Sequence, residues 1–262
     1  MKKILILIPF FVAAISIYQF FPTSKIQGPP TEKEVLGVTE PLEVETVDLS
    51  YRGVAYSIVW TPATKGKNIN LIENFTQKET ALSVFKSNNC RIVVNGGFYT
   101  PEDKPTGLFT TNSSELYPFL KNKLLNGVFS INDFEVPRVT RSVPTDNIRV
   151  GLQTGPILIE NSWEQALNLS SDKPARRMAL ATLGSNEVVF IAVYKKDQPF
   201  TGPYLADLPK ILTQFSIETG VTIADAVNLD GGSASAMYIK TSDTDYWQLS
   251  ETTPVGSFFC VR

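Results

Sequence analysis

The chain reads as an α/β protein: a mixed sheet with packed helices, in a single large domain after an N-terminal hydrophobic segment. Three observations predict this. Short runs rich in β-branched and aromatic residues recur between turn signals, as strands do. Two longer segments carry apolar residues at three- and four-residue spacings, as amphipathic helices do. Each of those helical patterns leads directly into an apolar strand, so helices are expected to cover the sheet. The composition agrees: among 262 residues, 43% are hydrophobic and 19% charged, enough apolar side chain for a sizeable core.

From the N-terminus, Lys2 and Lys3 precede an almost unbroken apolar run over residues 4–21, interrupted only by Ser16 and Gln19. Residues 1–21 are therefore expected to be a signal sequence or a membrane anchor. The positive-inside rule would leave the two lysines in the cytoplasm and the body outside it, membrane-anchored or secreted. Residues 22–45 hold Pro22, Pro29, Pro30 and Pro41 among polar residues and read as a linker. The folded domain is placed at 46–262.

Within that domain, strands are expected at Val54–Trp60, 91–94, 127–131, 156–160, 178–183, 188–194, 226–229, 236–240 and 257–261. Helices are expected at 78–86 and 204–218. In the second, Leu205, Leu208, Leu212 and Phe215 share a face, Pro209 sits early where its missing N–H costs little, and Gly220 supplies the stop.

Several chemistries are excluded at once. The chain contains no histidine, so Ser-His-Asp and Cys-His nucleophile systems and imidazole-held zinc are ruled out. Cys90 and Cys260 are too few for a structural zinc site; a disulfide and two buried thiols both fit them. Without residues 1–30, 21 basic residues face 26 acidic ones, which argues against a nucleic-acid partner.

Polar, glycine-rich turns at strand ends hold the candidate site, because strand ends fix polar groups while loops leave them accessible. The first is Asn95-Gly96-Gly97-Phe98-Tyr99, an amide, a close-approach backbone and an aromatic face suited to a sugar ring. The second is Asn228-Leu229-Asp230-Gly231-Gly232-Ser233-Ala234-Ser235. Alternation sends Asn228 and Asp230 to one face, and the serines add hydroxyls for substrate oxygens. Arg176 and Arg177 open an apolar strand, one pointing inward and one outward; a guanidinium there could hold a phosphate through paired hydrogen bonds. Thr154, before Gly155-Pro156, is a fourth candidate.

Taken in order, VNGGFY (94–99), QTGPILI (153–159), RRMAL (176–180), GPYLADLPKIL (202–212) and AVNLDGGSASAMY (226–238) resemble the phosphodiester glycosidase family over roughly residues 90–262. Ser233, Ala234 and Ser235 depart from the family's usual glycine and hydroxyls, Met178 replaces its Thr, and Tyr99 replaces a second Phe. The resemblance implies hydrolysis of a sugar-1-phosphodiester in a glycan or envelope polymer to a free sugar and a phosphomonoester. It implies catalytic roles for Asp230, Arg177 and Asn95, with Arg177 on the phosphate and Asp230 as general base or nucleophile. Substrate contacts would come from Gly96, Gly97, Phe98, Thr154, Asn228, Gly231, Gly232, Ser233 and Ser235. No metal or other cofactor is required, although the loop could take a single Ca²⁺ or Mg²⁺. Glu115, Glu160 and Asp225 are the candidates for a second carboxylate. The competing reading is a non-catalytic envelope polysaccharide-binding protein of the same fold.

Overall fold

Eighteen strands and only two α-helices of more than one turn make up the computed structural model, which describes residues 41–262. The fold is therefore mainly β. It consists of three antiparallel sheets, of eight, five and five strands, and not the α/β arrangement expected above. Every strand pairing among the described residues is antiparallel. The two helices therefore do not bridge parallel neighbours. The expected signal sequence or anchor lies outside the described residues, and no helix among the described residues is long and apolar enough to cross a membrane.

All nine expected strands form, within a residue or three of their expected bounds. The fold class changes because as many again were illegible. Glu45–Tyr51 and Ser114–Tyr117 lie at sheet edges with mostly exposed or half-buried side chains, and Pro137–Thr140 is an edge strand that starts on a proline. None of these carries an apolar run. Ile148–Thr154 is buried, but Gly151 interrupts its alternation where the chain passes close to Thr110.

The eight-stranded sheet runs through Arg177–Leu183 and Ile223–Asn228 at its centre, and the third sheet is centred on Ile92–Asn95 between Met237–Lys240 and Ser257–Val261. The inner faces of all three sheets share one core that includes Phe109, Phe129, Phe190, Leu180, Val227, Met237 and Phe259. Each helix covers an outer face. Helix α1, Ala81–Ser87, buries Ala81, Val84 and Phe85 against Val93, Tyr238 and Phe258. It starts three residues later than expected, because Lys78 takes a left-handed backbone and Asn74 Oδ1 accepts from the Glu79 N–H. Helix α2, Leu208–Thr219, buries Leu208, Ile211, Leu212 and Phe215 on the eight-stranded sheet and ends at Gly220, whose φ of 75° closes the helix. A disulfide joins Cys90 to Cys260, with their Cα atoms 5.5 Å apart.

Candidate functional site

The glycine-rich loop after Asn228 is a crossing point. It leaves the eight-stranded sheet at the end of Ile223–Asn228, makes a 3-10 turn at Gly232–Ala234, and enters the third sheet at Met237–Lys240. Asp230 stands on that crossing, and groups from all three sheets fix the main chain of the loop around it.

From the third sheet comes Asn95, the last residue of its strand and fully buried. Its Nδ2 donates to Asp230 O (2.8 Å) and Gly96 O (3.0 Å), and its Oδ1 accepts from the Ala236 N–H (3.0 Å). The whole amide is thus spent on holding the two turns together, and the Asp230 N–H closes the junction on Gly96 O (3.1 Å). Gly96 is required by close approach: a Cβ there would lie 2.2 Å from Ser257 Oγ. Gly97 packs on Thr154, and Phe98 is half-buried beyond it.

Thr154 ends a strand of the second sheet. Its hydroxyl donates to Asn228 O (2.8 Å). The chain then passes through Gly155 and a cis Pro156 into the eight-stranded sheet, where Asn228 Nδ2 donates to Gly155 O (3.0 Å). Asn228 Oδ1 and Ser235 Oγ are both buried and have no hydrogen-bond partner among the described residues. Ser233 is exposed, and its hydroxyl accepts from Thr253 Oγ1 (3.0 Å).

The two arginines separate as alternation requires, and the one that meets the loop is Arg176. It is buried, with Nε donating to Gly232 O (3.0 Å) and Nη1 to Ser250 O (3.1 Å), and its own carbonyl accepts from the Gly232 N–H (2.9 Å). Burial pulls its guanidinium below the usual range, and the Glu251 carboxylate opposes that shift. Arg177 points to the other face. It donates to Pro203 O (3.0 Å) and Lys173 O and pairs with Asp172 (3.1 Å).

Asp230 is the only carboxylate in the loop. Its Oδ1 accepts from the Gly231 N–H (2.8 Å), and no cation pairs with it among the described residues. Burial favours the uncharged carboxyl and pushes it up to about 6, with the Gly231 hydrogen bond opposing. Tyr99 belongs to the same surroundings. Its hydroxyl donates to Pro254 O (2.7 Å), and its phenol is raised by burial and then by the Asp230 charge.

The structure does not bring the other candidate carboxylates to this loop. Glu160 pairs with Arg141 at the far end of its strand, Asp225 accepts from the Asn161 N–H, and Glu115 is exposed on an edge strand. Sequence reasoning missed Glu251, whose Oε1 caps α1 at the Ala81 N–H (2.7 Å) while Oε2 is buried without a hydrogen-bond partner. Nothing in its polar surroundings, Ser250-Glu251-Thr252-Thr253, marks it in the sequence. No group of three or more acidic, cysteine or histidine side chains converges as a metal site among the described residues.

Several solved structures share this fold, among them the following two. A hypothetical protein from Synechocystis superposes with a TM-score of 0.63 at 13% identity, over 85% of this chain and 62% of its own. This chain thus spans less than two thirds of that protein's length. The catalytic domain of zebrafish N-acetylglucosamine-1-phosphodiester alpha-N-acetylglucosaminidase, auto-inhibited by its pro-peptide, gives 0.58 at 14% identity, over 86% of this chain and 85% of that one. Comparison with curated proteins finds no match. The family model described as phosphodiester glycosidase matches residues 88–262, a span that includes the Asn95 turn, Thr154, both arginines and the Asp230 loop. The chain belongs to the phosphodiester glycosidase family.

Proposed function

We propose that this protein is an extracytoplasmic hydrolase that cleaves the glycosidic bond of a sugar-1-phosphodiester in a glycan or envelope polymer, releasing the free sugar and a phosphomonoester. The observation that carries this reading is Asp230: a carboxyl raised to about 6 on a loop pinned by all three sheets, within the family-matched span. Near neutral pH such a group is mostly ionised yet basic enough to accept a proton. Asp230 acts at the anomeric carbon, either by taking the proton of an attacking water or as a nucleophile whose glycosyl ester a water then hydrolyses to free the sugar and the carboxyl. The bond from that carbon to the phosphate oxygen breaks, and its electron pair leaves with the phosphate. A phosphate oxygen is already a weak base, so its departure needs less proton donation than that of an ordinary glycoside. This fits a site with one carboxylate in its loop.

Positive charge for the departing phosphate is assigned to Arg176, because its guanidinium bonds the loop at Gly232 while Arg177 is committed to Asp172. Asn95, Thr154 and Gly96 act through the position of Asp230, since their polar groups are spent on the protein. The reaction so written needs no cofactor. The Cys90–Cys260 disulfide supports an oxidising compartment, and with it the placement outside the cytoplasm.

The test is sugar release from UDP-GlcNAc and a panel of sugar-1-phosphodiesters. Wild type is expected to release sugar, and Asp230→Asn to lose at least ~1000-fold in kcat/KM while keeping its far-UV spectrum and melting no lower than wild type. Equal turnover by the variant would remove Asp230 from the chemistry. No release by folded wild type would favour a polysaccharide-binding role.

A further inference from the structure

Beside the Asp230 loop lies a second loop that the chemistry above does not use, residues 118–126, with the sequence PFLKNKLLN. Its apolar residues do not all turn inward. Leu120 and Leu124 are 53% and 46% exposed, and Lys121 and Lys123 flank Asn122 between them, also exposed. Leu116, on the edge strand that precedes the loop, is also 40% exposed. Single exposed apolar residues are ordinary, but here two leucines stand half-exposed on one short loop with charged residues between them.

The loop is built to hold this shape. The buried Gln153 side chain ties both of its ends: Oε1 accepts from the Leu120 N–H (2.9 Å), and Nε2 donates to Leu120 O and to Leu125 O (2.9 Å). Asn122 Oδ1 accepts from the N–H groups of Leu124 (2.8 Å) and Leu125 (2.9 Å), which stiffens the tip. It is also built next to the site. Gly155 lies so close to Leu124 that a Cβ there would fall 2.6 Å from Leu124 O, and the Gly155 carbonyl takes the Asn228 side chain, two residues before Asp230.

We infer that residues 118–126 form the aglycone rim of the site, and that the aglycone it takes is an alkyl or isoprenoid chain esterified to the substrate phosphate. This rests on the phosphodiester glycosidase reading and deepens it. Lys121 and Lys123 give this exposed loop of an acidic protein two positive charges, which would complement a phosphodiester. Leu120 and Leu124 offer apolar contact to whatever follows the phosphate. A nucleoside or sugar aglycone would use the lysines but bury less apolar surface on the leucines than an alkyl chain does.

The experiment compares the full chain acting on two esters of one sugar-1-phosphate, methyl and dodecyl, below the micelle-forming concentration of the latter. Wild type is expected to turn over the dodecyl ester with a kcat/KM roughly tenfold or more above the methyl ester, the gain of partly burying two or so methylenes. Leu120→Ser/Leu124→Ser should abolish that preference and leave the methyl ester unchanged. Lys121→Glu/Lys123→Glu should lower kcat/KM for both esters by several-fold, and less at high salt. Equal turnover of the two esters by wild type would overturn the aglycone inference while leaving the family chemistry standing. So would a leucine variant that loses binding to anionic vesicles but keeps the ester preference, which would make the loop a membrane contact. If folded wild type turns over neither ester, the glycosidase reading fails first and this inference falls with it.

Discussion

At the scale of single residues, the carboxyl of Asp230 sets both a stability cost and a pH limit. Its value in the unfolded chain is 3.8 and in the folded protein about 6, so folding favours the protonated form. The cost of keeping it ionised is absent below pH 3.8, grows as the pH rises towards 6, and is complete above that. At about 1.4 kcal/mol per unit, the cost at neutral pH reaches up to about 3 kcal/mol. Asp230→Asn removes the charge and keeps an oxygen for the Gly231 N–H. The variant is therefore expected to be the more stable protein at pH 7.5, with the gain shrinking to less than about 1 kcal/mol at pH 4. Urea unfolding at the two values checks this, and a variant less stable than wild type at pH 7.5 would show that Asp230 is held by attractions the structure does not display. The same titration predicts an acid limb near pH 6 in the kcat/KM profile of wild type, because the base or nucleophile must be ionised.

At the scale of elements, what divides the two arginines is the strand they open. Arg176 sends its guanidinium to Gly232 and Ser250, and Arg177 sends its own to Asp172 and Pro203, on opposite faces of Arg177–Leu183. Arg176→Met leaves Ser250 O without its donor, Gly232 O with the Ser235 N–H alone, and the Glu251 charge without its neighbour; it should cost about 2–4 kcal/mol and lower kcat/KM sharply where the protein remains folded. Arg177→Met takes the cation from Asp172, a mostly buried carboxylate that keeps the Leu205 and Ala206 N–H groups, and should cost no more stability, yet leave kcat/KM of the folded protein near wild type. Equal activity losses in the two variants would reject the separation. Alternation alone says that one arginine points in and one out, but which face meets the Asp230 loop depends on how the sheets close. The strand ends themselves were legible, because glycines and polar residues punctuate apolar runs at Asn95 and at Asn228. The edge strands were not. A sequence such as ETVDLSY forms a strand because Val54–Trp60 offers it a ladder of partners, from Glu45 against Trp60 to Tyr51 against Val54, and no local pattern records that offer. Missing such strands turned a mainly antiparallel protein into an expected α/β one, and the two helices, correctly sensed, carried more weight in that reading than their share of the molecule.

For the molecule as a whole, the disulfide closes a loop of 170 residues that includes nearly the entire family-matched span. It joins Cys90, just ahead of the strand that ends at Asn95, to Cys260 on the adjacent strand, where Cys260 faces Val93 in register. Those strands already hold each other through their ladder, and α1 packs over both cysteines. The covalent link therefore adds little to the geometry of the folded third sheet and much to the restriction of the unfolded chain. Chain-entropy reasoning puts the effect of so long a loop at about 5 kcal/mol, an upper figure since unfolded chains keep some order. Replacing both cysteines by serine is expected to lower the unfolding free energy by about 3–5 kcal/mol while leaving kcat/KM unchanged at temperatures where the variant is folded. Paired denaturant curves and sugar-release assays test both halves. A folded variant that has lost activity would mean that the bond holds the Asn95 turn in place against Asp230, and that the ladder alone does not.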